Sequence, residues 1–236
     1  MKKKFNGDLT IIYITANKID GYFGENVRDQ LVKIADNLPI ISVSWEPMDF
    51  GQNHVYGTPE KPSTWHIYKQ VLEGAKLAQT KYIGIAEDDV LYSPDHYFSY
   101  RPEDNEFAYN VCKWGVYTWT QPPVFSFTRR KNNTSLIAPR KALIETLEER
   151  FEKYPDPNDY PLKWWAEPGR YEKPLGLKTF KVVEYWSGYP NIVFSHEKAL
   201  GYNNLGSRKR LGRMKAYETV YWGHVEDVLK LWKDEK

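Results

Sequence analysis

Cysteine is almost absent from this chain of 236 residues, which carries only Cys112. One thiol excludes an intramolecular disulfide framework and a multi-cysteine zinc site, and it fits a reducing compartment. Long hydrophobic runs are also missing. No stretch approaches the roughly 20 apolar residues of a membrane span. Met1-Lys2-Lys3-Lys4 is basic like the start of a signal peptide, but the apolar segment Leu9–Ile14 is too short for the core of one. The expected setting is soluble and cytoplasmic, where the acceptor-like sequons at Asn132 and Asn133 carry no meaning. An excess of one charge is lacking as well. Lys+Arg number 33 and Asp+Glu 31, so bulk charge selects no partner. GxGxxG, Walker A, GxSxG and HExxH patterns do not occur, nor do repeats, low-complexity tracts or a clear linker.

What remains is a globular composition, 41% hydrophobic and 27% charged, long enough to bury a sizeable core in one domain. Aromatic residues are plentiful at 16%. Rings serve cores first, and also surfaces that stack on sugars or bases.

The first half alternates between two periodicities. Leu9–Ala16 is a β-branched apolar run, the pattern of a buried strand. Val27, Leu31, Ile34 and Ala35 recur at helical spacing, predicting a helix over about 23–37. Pro39–Trp45 is a second strand, and the polar stretch through Asp49 and Gly57 is a loop. Ser63 is an N-cap candidate for a helix with Ile67, Val71, Ala75 and Ala78 on one face. Lys81–Ala86 is a third strand. Strand, helix, strand, helix, strand at this spacing implies βαβ units and a mostly parallel sheet flanked by helices, with ligands beyond the strands' carboxyl ends. Those ends carry Thr15, Asn17, Glu46 and the triplet Glu87-Asp88-Asp89. The second half reads as strands at Phe107–Trp119 and Pro123–Thr128, then a helix from Pro139. An aromatic loop over Tyr154–Pro174 follows, then strands at Thr179–Trp186 and Asn191–Ser195, and a last helix through Val225 and Trp232.

Three adjacent carboxylates repel one another and cost desolvation unless paired. Mn²⁺ or Mg²⁺ would neutralise Glu87, Asp88 and Asp89, commonly with substrate phosphates completing the shell. The alternative is a solvated acidic turn. His196, at the end of an apolar strand, is a second metal-ligand candidate, although an isolated histidine is more often a core residue. Beyond it lies a Gly-rich basic segment with Arg208, Lys209 and Arg210, suited to a diphosphate leaving group or, more simply, a solvated face. Glu167, between Trp164-Trp165 and Arg170, is a general-base candidate with a stacking platform beside it. The competing arrangement is an aromatic core plug with Glu167 paired to Arg170.

A βαβαβ half ending in an acidic triplet, followed by a variable half with a late histidine and a basic loop, resembles the GT-A glycosyltransferases. Their DxD motif here stands as the Glu87-Asp88-Asp89 variant. The resemblance implies one GT-A-like domain over 1–236, with a nucleotide-binding half to about residue 105 and an acceptor half after it. It implies sugar transfer from a nucleotide sugar such as a UDP-sugar, with Mn²⁺ or Mg²⁺. Thr15, Asn17 and Glu46 fall where the family holds the nucleoside, and Asp88 where it holds ribose. Asp89 is the favoured metal contact, with Glu87 and His196 as further ligands. Arg208, Lys209 and Arg210 match a loop over the diphosphate, and Glu167 the base of an inverting enzyme. The segments IAEDDVLYSP, KWGVYTW and LGSRKRLG are also similar to glycosyltransferases encoded in tailed-phage genomes. That makes a hydroxymethylated pyrimidine in DNA an acceptor to consider, in a host cytoplasm. Arg129, Arg130 and Lys131 would contact phosphates, and Trp164 and Trp165 would receive an extracted base. Competing readings are a saccharide acceptor, a non-catalytic nucleic-acid-binding module resting on the basic stretches, and a metal nuclease using the same acids.

Overall fold

The computed structural model describes residues 5, 7–19, 21–118, 120–127, 129–196 and 212–232. Its architecture is mixed α/β. The central strands β1 (Leu9–Thr15), β2 (Ile40–Ser44) and β4 (Tyr82–Glu87) run parallel, with β1 in the middle. Every β1 residue is buried, and its side chains alternate between two cores. Leu9, Ile11 and Tyr13 face α1 (Gly21–Ala35), while Ile12 and Ile14 face α2 (Thr64–Leu77) and α3 (Arg140–Lys153). Burial on both faces is why these strands read as continuous apolar runs rather than alternating ones.

Four further strands complete this large sheet among the described residues. β3 (Gln52–Val55) adds parallel to β2 at the edge. On the other side β9 (Leu136–Pro139) runs antiparallel between β4 and β6 (Glu106–Asn110), and β10 (Lys181–Tyr185) closes the order β10-β6-β9-β4-β1-β2-β3. The sequence predicts a loop where β3 lies. Its Gln-Asn-His-Val side chains are exposed or half-buried, so backbone pairing alone makes it a strand and no hydrophobic period marks it. β9 escapes notice because it is four residues long and runs straight into α3. Ser63 does occupy the N-cap position of α2, but its hydroxyl pairs with His66 Nδ1 at 2.9 Å instead of capping the helix.

A second sheet packs on the α1 side, in the order β12 (Met214–Ala216), β8 (Phe125–Phe127), β7 (Lys113–Tyr117), β11 (Asn191–Ser195), β5 (Val90–Leu91). The predicted strand over Phe107–Trp119 is therefore two strands in two sheets. The break has a local cause. The Asn110 side-chain Oδ1 accepts the Cys112 N–H at 2.9 Å, turning the chain as asparagine does. The last helix, Val225–Lys230, seats Val225 and Val228 in the same core, and Trp232 packs edge-on against Phe23. Among the described residues no helix is long and apolar enough to cross a membrane.

Three strand pairs cross from the large sheet to the small one: β4 to β5, β6 to β7, and β10 to β11. His96 is buried at one of these crossings. Its Nδ1 accepts from Asn110 Nδ2 (2.9 Å) and Asn191 Nδ2 (3.0 Å), which requires the neutral ring with its proton on Nε2. Burial, helped by the Lys113 charge, pushes its pKa down to about 3. The unfolded chain therefore takes up the His96 proton near the ordinary value of about 6.5 while the folded one refuses it. Stability from this group is complete above that pH and is lost as pH falls toward 3, at up to about 1.4 kcal/mol per pH unit. Urea unfolding of wild type and His96→Gln between pH 7 and 5 should show a smaller acid loss in the variant. Equal slopes would mean that the ring is already charged in the folded protein.

Candidate active site

β1, β2 and β4 end at the same edge of the large sheet, where the small sheet meets it. A cleft of about 430 Å³ opens there. Buried Gln70 fixes the strand ends, because its Nε2 donates to Thr15 O (3.0 Å) and Val43 O (2.8 Å). Asn17 sits at φ 53°, and its Oδ1 accepts the backbone N–H groups of Trp45 (2.9 Å) and Glu46 (3.0 Å). Its carbonyl oxygen thus ties the loops after β1 and β2 together. Neither Asn17 nor the exposed Glu46 lines the cleft, whereas Trp45, between them in space, does.

The acidic triplet lies where the chain leaves one sheet for the other. β4 ends at Glu87, and β5 pairs antiparallel with β11, so Val90 faces Val193. Phe194 N–H donates to Asp89 O at 2.8 Å. This pairing carries His196, just beyond β11, to the triplet. The three carboxylates take different partners. Glu87 Oε1 accepts from Asn133 Nδ2 at 3.1 Å, and Asp88 Oδ2 accepts from the Thr15 hydroxyl. Asp89 Oδ2 lies 3.5 Å from His196 Nε2, and Asp89 Oδ1 is buried with no hydrogen-bond partner among the described residues. Burial, then the Asp89 charge, pushes Glu87 up to about 8. The same two causes raise Asp88 to about 7, against the Thr15 hydrogen bond and His196, which lower it.

This crowding is the repulsion that a divalent cation relieves. Asp89 and His196 fit one. Their facing O and N atoms lie 3.5 Å apart, and the other Asp89 oxygen has no hydrogen-bond partner among the described residues. The three-ligand set of Glu87, Asp89 and His196 is not formed, since no three such side chains converge among the described residues. Asn133 holds Glu87 instead. Two protein ligands agree with Mg²⁺ or Mn²⁺ bound partly by substrate phosphates.

Glu167 lines the same cleft, paired with Arg170 Nη1 at 2.7 Å. Buried side chains clamp its backbone on both sides. Arg150 Nη1 donates to Ala166 O (2.6 Å) and the Tyr109 hydroxyl to Pro168 O (2.5 Å). Arg150 itself is fully buried in an ion pair with Glu172. The neighbouring tryptophans do not form an acceptor platform. Trp165 is 1% exposed, packed edge-on against Phe151 and Tyr154 and tilted against Tyr160, so it is a core plug. Trp164 is half-buried against Tyr171 and outside the cleft lining. An aromatic-rich stretch reads the same in sequence whether its rings face core or ligand.

Of the basic triplet, Arg129 and Lys131 are both bound to Glu184, and Arg130 and Lys131 line the cleft. That pairing weakens the expected phosphate-contacting patch. Arg208, Lys209 and Arg210 lie outside the described residues. The sequence reading missed Lys113 and Asn132, whose side chains bond each other in the cleft, as well as Asn133 and Trp45. A lysine opening the otherwise apolar stretch KWGVY was the available signal for Lys113.

No protein-family model matches the sequence, and no curated protein matches it. Solved structures do show likeness in shape. One is a glycosyltransferase involved in glycosylation of the major capsid of PBCV-1, with TM-score 0.49 and 9% identity over 78% of this chain and 91% of that one. Another is the mannosyltransferase PcManGT from Pyrobaculum calidifontis in complex with GDP-Man and Mn²⁺, with TM-score 0.47 and 12% identity over 85% and 60%. A nucleotidyl transferase from Methanothermobacter thermautotroptrophicus follows at TM-score 0.41 and 15% identity, over 74% and 86%. At this level the likeness carries no assignment, and the chemistry has to be argued from the cleft. The chain is an α/β protein with a large, mostly parallel sheet flanked by helices, and the cleft lies at the carboxyl edge of that sheet.

Proposed function

We propose that this protein is a metal-dependent glycosyltransferase, moving a sugar from a nucleotide-diphosphate sugar to a hydroxyl acceptor. One observation carries the reading. A single cleft gathers Thr15, Asp88, Asp89, His196 and Glu167 at the carboxyl edge of a parallel sheet, the edge at which such sheets bind nucleotides. The nucleoside belongs at the end formed by Thr15, Lys18 and Trp45, and the sugar at the end formed by Lys113 and Glu167. When bound by Asp89 and His196, a divalent cation supplies charge neutralisation for the departing diphosphate.

The side chains then divide the work. Thr15 holds Asp88 in place by its hydroxyl, and Arg170 pairs with Glu167 in the cleft. Glu167 takes the proton of the acceptor hydroxyl as that oxygen attacks the anomeric carbon. The bond from that carbon to the diphosphate oxygen breaks, and the electron pair leaves with the nucleotide. Such a displacement inverts the anomeric centre. Acceptor candidates are a saccharide and a hydroxymethylated pyrimidine in DNA. The Glu184 pairs of Arg129 and Lys131 take support from the second.

The test is thermal unfolding with UDP, GDP, CDP or dTDP, in Mn²⁺ and in EDTA. One nucleotide at a hundred times its Kd should add about 2.7 kcal/mol of stability, and EDTA should remove that gain. No stabilisation by any nucleotide, or stabilisation indifferent to EDTA, overturns the reading.

A further inference from the structure

Two cations are fully buried among the described residues, and they are treated differently. Arg150 meets Glu172 and Ala166 O, so its charge and its N–H groups have partners. Lys113 is 4% exposed, yet the only hydrogen bond its ammonium makes among the described residues is to Asn132 Oδ1. No carboxylate of the described residues lies within ion-pair distance of it. An ammonium has three N–H donors, and burying it with two unsatisfied costs folding free energy. Such a group is not kept for stability, and local rules are broken where a ligand completes the site.

The position of Lys113 points to that ligand. It opens β7 on the face shared with Gly115 and Tyr117, and all three line the cleft. Burial pushes its pKa down to about 7, against the charges of Glu167 and Glu87, which favour the protonated form and line the same cleft. Asn132 and Asn133, adjacent in the chain, hold Lys113 and Glu87 respectively. Lys113 thus shares the cleft with the acidic triplet and Glu167 and is tied to Asn132, the chain neighbour of the residue that holds Glu87.

We propose that the Lys113 ammonium donates to a hydroxyl or carboxylate oxygen of the transferred sugar, and so selects the sugar that the cleft accepts. This inference rests on the glycosyltransferase reading above. Lys113 makes no contact with the nucleotide in it, which gives a test that separates the two.

Wild type and Lys113→Met, which keeps an unbranched apolar stem and removes the charge, are titrated calorimetrically in Mn²⁺. The probes are UDP against UDP-glucose and GDP against GDP-mannose. The variant should bind the free nucleotide as wild type does and bind the matching nucleotide sugar about ten-fold or more weakly, the effect of losing a charged hydrogen bond. Its melting temperature should equal or exceed that of wild type. Lys113→Gln, which retains N–H donors, should recover part of the lost sugar affinity and serves if the Met variant folds poorly. Equal weakening of nucleotide and nucleotide sugar, or weakening of neither, overturns the role of Lys113. Wild type that binds none of UDP, GDP, CDP and dTDP in Mn²⁺ overturns the glycosyltransferase reading, and this inference with it; a CDP or dTDP binder is titrated with the corresponding nucleotide sugar in place of the two pairs above.

Discussion

Replacing Glu167 with glutamine should lower the rate of sugar transfer about a thousand-fold, within the 10²–10⁴ that a positioned general base contributes. Nucleotide binding should stay unchanged. The amide has nearly the volume of the carboxylate but accepts no proton at neutral pH. The loop should not move, because its hold is elsewhere. Arg150 grips Ala166 O and Tyr109 grips Pro168 O, and neither bond involves the Glu167 side chain. Arg170 loses its ion pair but keeps its hydrogen bond to Lys131 O at 3.1 Å. Turnover measured with a nucleotide sugar, and nucleotide binding measured by thermal shift, separate the two effects. An unchanged rate would take the base role from Glu167 and open a retaining mechanism. Lost nucleotide binding would make the residue structural.

Asp89→Asn should abolish the metal-dependent stabilisation by nucleotide and lower transfer by about three orders of magnitude, the equivalent of roughly 4 kcal/mol of lost transition-state charge stabilisation. The argument is again local. Asp89 has one oxygen with no hydrogen bond among the described residues and the other 3.5 Å from His196 Nε2, so its carboxylate is placed to share a cation. The backbone at this position is fixed independently by Phe194 N–H, so the substitution changes charge and leaves the turn. Removing one of three crowded carboxylates also relieves the repulsion that raises Glu87 and Asp88. The apo variant should therefore melt no lower than wild type. If nucleotide still stabilises Asp89→Asn and still needs Mn²⁺, the cation is held elsewhere.

The two predictions differ in how their residues were found. Asp89 was legible because the triplet directly follows YIGIA, a run whose apolar period places its end at a sheet edge. Thr15 and His196 were legible for the same reason, each standing at the end of an apolar strand. Glu167 was visible only as a carboxylate among aromatics. The expectation that those aromatics form a wall around it did not hold, because Trp165 turns into the core and Arg170 becomes its partner. Lys113, Asn132 and Asn133 escaped because their meaning depends on residues 46 and 19 positions away in the chain, where one short turn at 132–133 joins strands of the two sheets.

The sequence by itself determined the parallel core. A buried strand must be apolar on both faces and a covering helix on one, so β1, α1, β2, α2 and β4 write their identity in local periodicity. It also determined that acids, a threonine and a histidine would stand at strand ends. The tertiary structure alone decided which of these meet. That choice depends on β5 leaving the large sheet to pair with β11, and on β6 and β7 parting at Asn110. It decided that β3 and β9 are strands at all, since backbone pairing with a neighbour needs no side-chain pattern. It decided, too, that one lysine would be buried with no ion-pair partner among the described residues, because burial is a property of the assembled cleft and not of any segment.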